Sequence, residues 1–380
     1  MDVPRVAIVS DSLVQRGGAE RCVEAMAYAF PDAPIFAVLF DERHGPSALA
    51  SRVRQSFLAR LPLASRGHRL FWPLYRYAVE SFDLRPYDVI VSSHHTTAKS
   101  LIRRADQLHI CYCHTPMRAL WERPFDEIAT LPRPLRGAAS VFFSGCRLRD
   151  VTTANRVDHF LANSRETQRR IAAHYRRPSL LVYPPIDTER FVPAAIEAGD
   201  AYLIASRPVP YKRIDVAIAA AERLQRNVVV TSARPAGMTT SSRISFVGPL
   251  PDAELVRLMQ RSRALLFPQH EDFGMAPLEM NACGRPVVAF ASGGALETVI
   301  EDVTGTFARE QTPDAFVRAI ETFERKSFDR GALRAHAERF SRERFVRELR
   351  EFVSLAWSKR DEAPGRLRDD SMRRDETAVG

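Results

Sequence analysis

The sequence predicts an α/β protein made of two domains, each with a parallel sheet, that face each other across a cleft. Short apolar or β-branched runs alternate with helical stretches, which is the pattern of βα units in a parallel sheet. The runs form two series, separated by a segment without a sustained apolar period. At 380 residues the chain also exceeds what one hydrophobic core usually supports. We therefore expect the functional residues in the loops that follow the strands.

The predicted strands are short, and several end in residues that turn the chain or cap a helix. The first series comprises Arg5–Ser10, Ala33–Phe40, Asp88–Ser93, Leu108–Cys113, His159–Ser164 and Leu180–Pro185. The second series comprises Ala201–Ser206, Asn227–Ser232, Ile244–Gly248, Ala264–Gln269 and Arg285–Phe290. Each series is sufficient for one Rossmann-like domain.

The two series set the expected domain boundaries. Residues 1–184 form the first Rossmann-like domain, residues 185–200 the linker, and residues 201–339 the second domain. Residues 340–358 place apolar side chains at helical intervals, which predicts an amphipathic helix that packs on a domain. Residues 359–380 contain few apolar side chains, and we expect a disordered tail there.

The composition fits a globular protein, with 45% hydrophobic and 27% charged residues and no apolar run as long as a bilayer span. The first residues lack the features of a signal peptide, so we expect the protein in the cytoplasm. The five cysteines are scattered among apolar runs, which argues against a disulfide framework. A metal site at Cys111, Cys113 and His114 would need further ligands, and the sequence offers none at a suitable spacing.

The net charge of +9 indicates attraction to an anionic partner, such as nucleic acid, anionic lipid or a phosphorylated substrate. Part of this charge lies between Arg52 and Arg85, where arginines alternate with Phe, Leu, Trp and Tyr. Such a mixture suits a membrane interface, and it equally suits a solvated helix pair with a packed apolar face. The sequence leaves both interpretations open.

Two glycine pairs follow predicted strands and precede helices. Gly17 and Gly18 come after the first strand, and Gly293 and Gly294 come after the last strand of the second series. Glycines at a helix start let backbone N–H groups approach an anion, and the helix dipole favours negative charge there. A plain tight turn would also explain each pair taken alone.

Two basic residues follow the first strand of the second series. Arg207 and Lys212 lie in the stretch "RPVPYKRID". The planar fork of arginine and the point charge of lysine suit a diphosphate whose charge must be held as it departs. A solvated helix start is the alternative.

Two carboxylates, Glu271 and Glu279, lie on either side of Gly274 in the stretch "HEDFGMAPLEMNACGRPVVAF". The stretch follows a buried-type strand and leads from a loop into a helix. The carboxylates can therefore hold separate parts of one long ligand, while N–H groups around Gly274 meet an anion between them. A nucleotide sugar, with hydroxyls at both ends and phosphates in the middle, fits this arrangement. A charged loop entering an ordinary helix would need no ligand.

These motifs resemble those of the family 4 retaining glycosyltransferases, which have the GT-B fold of two facing Rossmann-like domains. The stretch from Glu271 to Phe290 matches the E-x7-E signature through Glu271 and Glu279. "RPVPYKRID" is similar to the diphosphate-binding segment, and "GGAER" to the glycine loop of the acceptor domain. "YCHTPMRALWE", "ANS" and "VYPPIDTERF" resemble bacterial polysaccharide mannosyltransferases that use GDP-mannose.

The resemblance implies a nucleotide-sugar site. By position, Glu279 binds the ribose hydroxyls and Glu271 lies near the hydroxyls of the donor sugar. The glycine loop of Gly17 and Gly18 belongs to the same site. The residues that this likeness places against the sugar and phosphates are Phe273, Gly274 and Met275.

The resemblance also implies the catalytic set of His114, Arg207, Lys212 and Glu271. His114 lies beside the donor sugar, and the two cations stabilise the leaving diphosphate. Reaction on the front face lets the departing phosphate oxygen take the proton of the acceptor hydroxyl, so electrostatic stabilisation dominates. No Asp-x-Asp sequence occurs, which fits an enzyme without metal or other cofactor. Ser206 replaces the glycine usual before the arginine, which loosens the inference about phosphate contacts.

The expected function is the transfer of a hexose, mannose from GDP-mannose, to a lipid-linked oligosaccharide or polysaccharide at the inner face of the cell membrane. Nucleic acid is not an expected partner, because carboxylates in the cleft would repel a polyanion. Two alternatives stay open. One is a non-enzymatic protein that binds anionic lipid or nucleic acid on the same scaffold, and the other is a sugar-nucleotide epimerase or phosphorylase of the same fold.

Overall fold

The computed structural model describes residues 4–360 apart from residues 63, 65, 66, 68, 69 and 208. Two separate parallel sheets confirm the predicted fold class. The predicted disordered tail lies outside the described residues from 361 onward, and the basic aromatic segment from Arg52 to Arg85 lies only partly within them.

The first sheet is formed by the amino-terminal half of the chain. Its strands are β1 (Val6–Leu13), β2 (Ile35–Phe40), β3 (Val53–Gln55), β4 (Val89–His94), β5 (Leu108–Cys113), β6 (His159–Ala162) and β7 (Ser179–Leu181). They are parallel and lie in the order β3-β2-β1-β4-β5-β6-β7. The order reverses between β1 and β4, and ligands bind beyond the strand ends at such a point.

The second sheet is smaller and has the same kind of order. Its strands are β8 (Tyr202–Ile204), β9 (Val228–Val230), β10 (Ile244–Phe246), β11 (Leu265–Phe267), β12 (Val287–Phe290) and β13 (Gly305–Ala308). They are parallel in the order β10-β9-β8-β11-β12-β13. Since the order reverses between β8 and β11, the loop with Arg207 and Lys212 lies beside the loop with Glu271.

Helices cover both sheets, as the alternation of strands and helical stretches predicts. In the first half of the described chain they are α1 (Gly18–Ala29), α2 (Tyr75–Glu80), α3 (Arg118–Trp121), α4 (Pro124–Ala129), α5 (Arg136–Ala154) and α6 (Arg165–Tyr175). In the second half they are α7 (Ile214–Arg223), α8 (Asp252–Arg261), α9 (Met275–Ala282), α10 (Ala295–Thr298), α11 (Pro313–Glu324), α12 (Arg330–Glu338) and α13 (Arg342–Ser358). None of the described helices is long and apolar enough to cross a bilayer.

Two edge strands were absent from the sequence prediction. The edge strand β3 reads Val-Arg-Gln and is half-buried to exposed, so it has no apolar run. The other, β13, begins with Gly305, where an added Cβ would lie 2.1 Å from the backbone oxygen of Val287. A glycine that permits such close backbone approach reads in the sequence as a turn.

The carboxyl-terminal helix α13 packs on the first domain. Phe345, Leu349 and Val353 are buried in the same core as Cys22 and Met26 of α1. The Ser341 side chain caps the helix by accepting a hydrogen bond from the backbone N–H of Arg344. The chain thus connects the two domains twice, through the segment between β7 and β8 and again before α13.

Candidate active site

The glycine loop of the first domain meets the Glu271 loop of the second. Gly17 caps α1, and a Cβ on Gly18 would lie 2.8 Å from the sulfur of Met275. Gly274 caps α9 with φ of +85°, a left-handed conformation that favours glycine. The structure therefore brings together two loops that lie about 250 residues apart in the sequence.

Lys212 and Glu271 form an ion pair in the second domain. Lys212 ends the short 3-10 turn Pro210–Lys212 after β8, and its ammonium contacts the Glu271 carboxylate. Both side chains are largely buried, with 13% and 17% exposed. Burial, together with the nearby Arg207 and Arg118, lowers the pKa of Lys212 to about 7, while the Asp272 carboxylate opposes that shift.

Arg207 is exposed at the mouth of the cleft. Its charge acts on Lys212 and also on Glu20 in the first turn of α1. The Glu20 side chain is buried, and this burial raises the pKa of its carboxyl. Arg207 therefore lies near a charged group of each domain.

The Glu279 carboxylate is bound by Arg21 of the first domain. Arg21 also lies 3.7 Å from Asp252 and 5.6 Å from the centre of the Phe191 ring. Arg21 was not predicted as a site residue, because within "GGAER" it looks like a solvated residue of a helix start. A ligand that uses Glu279 must share or displace this arginine.

Other ion pairs close the cleft on the side of α6. Asp272 is bound by Arg170 and lies 3.9 Å from Arg118. The backbone N–H of Arg165 donates to the Glu297 carboxylate at 3.0 Å. These contacts join separate domains, and no local spacing in the chain predicts them.

His114 follows β5 and is buried. Its Nε2 lies 2.9 Å from the hydroxyl of Ser93, and its ring centre lies 6.3 Å from that of His95. Burial, with the neighbouring His95 and His94, lowers the pKa of His114 to about 3. His114 is therefore a neutral imidazole near neutral pH, which suits hydrogen bonding to a hydroxyl and not the binding of an anion.

A buried carboxylate shapes the loop beside His114. Asp11, at the end of β1, accepts hydrogen bonds from the backbone N–H groups of His95, Thr96, Thr97 and Ala98 at 2.7–2.9 Å. Burial by itself would raise the pKa of Asp11, but His95, His94 and these N–H groups hold it below its usual value. Asp11 thus fixes the loop after β4 at the switch point of the first sheet, which is the place between β1 and β4 where the strand order reverses.

Phe273 does not have the exposure expected of a ligand contact. Its side chain is 3% exposed and packs between Tyr183 and Phe340, with ring centres 5.6 and 5.9 Å away. An added Cβ on Gly294 would lie 2.1 Å from the Phe273 backbone oxygen. Packing therefore occupies the Phe273 ring, and the contact of this residue with sugar or phosphate stays a prediction that its backbone would have to fulfil.

The second glycine pair lies where two loops pack together. Gly293 has φ of +58°, and the N–H of Gly294 donates to the Glu271 backbone oxygen at 2.9 Å. The helix that follows, α10, has four residues. Gly293 and Gly294 therefore let the two loops pack closely, and the N–H of Gly294 is already bonded within the protein.

No group of three or more His, Cys, Asp or Glu residues suited to a metal ion occurs in the part of the chain that the structure describes. Cys111 and Cys113 are buried side by side in one apolar cluster with Phe160 and Tyr175. Burial raises the pKa of both thiols, as expected for core residues.

The two facing Rossmann-like domains and the paired carboxylates in the cleft define a protein with the GT-B fold of glycosyltransferases. Comparison with family models agrees: residues 16–190 match the model described as Glycosyltransferase Family 4, and residues 185–344 match Glycosyl transferases group 1. The first match covers most of the first domain and the second match covers the second domain, so both halves of the cleft are similar to glycosyltransferase families.

Two curated proteins that are similar to this chain share one name. A D-inositol 3-phosphate glycosyltransferase of Mycolicibacterium gilvum is 30% identical over 216 residues, which are 48% of this chain and 49% of the relative. The protein of that name from Geodermatophilus obscurus is 28% identical over 230 residues, 50% of this chain and 51% of the relative. The chain thus spans about half the length of the curated relatives it matches.

Similar solved structures share the fold. Anabaena HepE in complex with UDP and glucose has a TM-score of 0.68 and 17% identity, over 93% of this chain and all of that one. Sucrose-phosphate synthase from Thermosynechococcus elongatus has a TM-score of 0.70 and 16% identity, again over 93% of this chain and 100% of that chain.

Proposed function

We propose that the protein is a retaining glycosyltransferase that moves a hexose from a nucleotide sugar to an acceptor hydroxyl. The observation that carries this proposal is the cleft itself: Glu271 and Glu279 lie on one loop-helix unit, facing Arg207 and Lys212 on one side and the Gly17–Gly18 loop on the other. Acidic groups for hydroxyls and basic groups for phosphates are thus combined in one cleft.

Each side chain has a proposed role. Glu279 binds the ribose hydroxyls, and Glu271 binds hydroxyls of the donor sugar once Lys212 turns toward the diphosphate. Arg207 and Lys212 stabilise the negative charge of the leaving diphosphate. Gly274 and Met275 lie where the sugar and phosphates meet the glycine loop, and neutral His114 orients the sugar.

The reaction needs no covalent protein nucleophile. The acceptor oxygen bonds to the anomeric carbon while the bond from that carbon to the diphosphate oxygen breaks, on the same face of the sugar. The acceptor proton passes to the departing phosphate oxygen. The site requires no metal in this scheme, because Arg207 and Lys212 supply the positive charge.

Mannose from GDP-mannose is the proposed donor, and a lipid-linked oligosaccharide or polysaccharide at the cytoplasmic face of a membrane is the proposed acceptor. The donor rests on the motifs shared with bacterial mannosyltransferases. The acceptor rests on the basic and aromatic sequence of residues 52–85, in which Phe57 and Tyr77 are exposed. The name of the curated relatives favours a second acceptor class, a phosphorylated cyclic polyol.

Incubation of the purified protein with GDP-mannose, UDP-glucose and ADP-glucose tests the donor. We expect slow release of nucleoside diphosphate from one of the three, and loss of that release in Glu271→Gln. Glu189→Gln is the matched control, because Glu189 is 74% exposed and pairs only with Arg342 among the described residues. Binding of none of the three donors, in a protein that is folded, would exclude the proposal.

A further inference from the structure

A second pocket lies in the first domain, beside the cleft. It is bounded by the turn before α2 on one side and by α5 on the other. The side chains that line it toward solvent are Trp72, Arg76, Cys146 and Arg149, and those nearest the loop after β4 are Thr96 and Thr97. Because Asp11 fixes that loop, the pocket is held against the switch point of the first sheet.

Two arginines line this pocket, and in the described part of the chain neither is paired with a carboxylate. The Arg76 guanidinium donates to the Tyr77 hydroxyl and lies 4.4 Å from the centre of that ring. Arg149 also lies near this hydroxyl, and the two cations together lower the pKa of Tyr77. Within the described residues, neither guanidinium lies within ion-pair distance of an acidic side chain. Two uncompensated cations at one point are suited to an anion.

The deeper cation of the pocket is already neutralised. Lys99 is 1% exposed, and its ammonium lies 2.7 Å from the Asp150 carboxylate. Asp150 also accepts hydrogen bonds from the Trp121 indole at 2.8 Å and the Tyr175 hydroxyl at 3.0 Å. The free positive charge therefore belongs to the outer part of the pocket.

Two donors of the pocket lack an acceptor. The indole N–H of Trp72 and the Nε–H of Arg76 are buried, and no acceptor in the described part of the chain reaches them. Buried N–H groups are nearly always satisfied, so these two donors are available to an oxygen atom that the described part of the chain does not supply.

An apolar surface surrounds the same pocket. Helix α5 has 19 residues, of which only Asp150, Thr153 and Ala154 are buried. Val141 is 76% exposed and Leu148 is 72% exposed, and Leu70 on the opposite side is 83% exposed. The sequence from residue 128 to residue 149 contains four arginines and no acidic residue. Such a surface suits a hydrocarbon chain bound to an anionic group.

We propose that Arg76, Arg149 and the Trp72 indole bind the phosphate of a lipid, whose hydrocarbon chain lies along the exposed apolar side of α5. The site would hold the phosphate end of a lipid-linked acceptor next to the loop after β4. The inference deepens the proposed function and rests on it only for the identity of that lipid as the acceptor. The binding site itself can be tested without any sugar donor.

Calorimetric titration with octyl phosphate, inorganic phosphate and 1-octanol separates the phosphate from the chain. Each titration is repeated with GDP present, so that the proposed donor site is filled. The test protein carries Arg76→Gln and Arg149→Gln. The control carries Arg325→Gln and Arg347→Gln, which remove the same charge from exposed positions that do not line the pocket. Trp72→Phe keeps the ring and removes the N–H.

We expect octyl phosphate to bind about tenfold more tightly than inorganic phosphate or 1-octanol, with or without GDP. The double arginine variant should bind octyl phosphate about tenfold or more weakly than the wild type. Trp72→Phe should show a smaller loss of affinity, and the control should bind octyl phosphate as the wild type does. Equal binding by the double variant would overturn the site, as would its abolition by GDP. Equal affinity for inorganic phosphate and octyl phosphate would overturn the inference that the ligand is a lipid. GDP binding measured on the same samples shows separately whether the donor site is intact.

Discussion

The perturbed pKa of Lys212 makes diphosphate binding dependent on pH. In the free protein, burial and the neighbouring arginines lower this pKa from 10.5 to about 7. A bound diphosphate supplies negative charge, which favours the ammonium and raises the pKa again. Binding therefore takes up a proton above pH 7, and none well below it. The affinity for the diphosphate is therefore highest below the Lys212 pKa of the free protein, and it falls as the pH rises above that pKa.

The magnitude follows from the size of the shift. If the bound state restores the ordinary pKa, the affinity falls about tenfold for each pH unit above 7, or about 100-fold by pH 9. Titration of GDP from about pH 7.5 to 9 measures this in a range where the phosphate groups have lost their last proton. Lys212→Arg keeps the charge and cannot lose its proton in this range, so its affinity should stay nearly constant.

The contact between Lys212 and Glu271 is the competing effect, because a carboxylate holds the proton on the amine. If that contact dominated, wild type and Lys212→Arg would show the same flat profile. That result would refute the inference that burial controls the charge of Lys212. A steep pH profile in both the wild type and Lys212→Arg would show that another group titrates in this range.

Three further predictions follow from the packing of the cleft and the core. Gly294→Ala should destabilise the protein by about 3 kcal/mol, because the added Cβ would lie 2.1 Å from the Phe273 backbone. The control Gly145→Ala should stabilise α5 slightly, because no atom lies within 4 Å of its added Cβ. Urea unfolding compares the two variants, and equal unfolding midpoints would contradict the packing role of Gly294. Leu349→Ala should cost about 2–5 kcal/mol of unfolding free energy, because Leu349 is fully buried against the first domain, while the exposed Leu355→Ala should cost much less; a small loss at Leu349 would show that α13 is not part of that core. Arg21→Gln should raise the affinity for GDP by about tenfold, because the ligand no longer displaces this arginine from Glu279, and Glu279→Gln should lower it; calorimetry measures both, and a loss of affinity in Arg21→Gln would mean that Arg21 itself binds the ligand.

Most of the fold could be predicted because a strand of a parallel sheet is buried on both faces and reads as an apolar run. Strand β5 has the predicted bounds, and most of the other predicted strands lose terminal residues. Three strands also extend beyond their predicted bounds: β1 continues to Leu13, β4 continues to His94, and β7 begins at Ser179. The edge strands β3 and β13 lack such a run, one because it is polar and the other because it begins with glycine. Local pattern contains no signal for either.

The candidate site also contains residues that local sequence predicts and residues that it does not. The positions of Glu271, Lys212 and Gly274 followed from strand ends and glycine placement, which are local properties of the chain. The partners Arg21 and Arg170 belong to the other domain, and only the three-dimensional arrangement pairs them with Glu279 and Asp272. The packing of the Phe273 ring was not predictable for a related reason, since its burial depends on Tyr183 and Phe340 from distant segments.

The central claim is that the cleft binds a nucleotide sugar between Glu271 and Glu279. Calorimetric titration of the wild type, Glu279→Gln and the control Glu189→Gln with GDP-mannose tests it most directly. We predict saturable binding of one ligand per chain, weakened about tenfold or more in Glu279→Gln and unchanged in Glu189→Gln. Equal affinities in all three proteins would contradict the claim, because the ligand would then be bound away from the paired carboxylates.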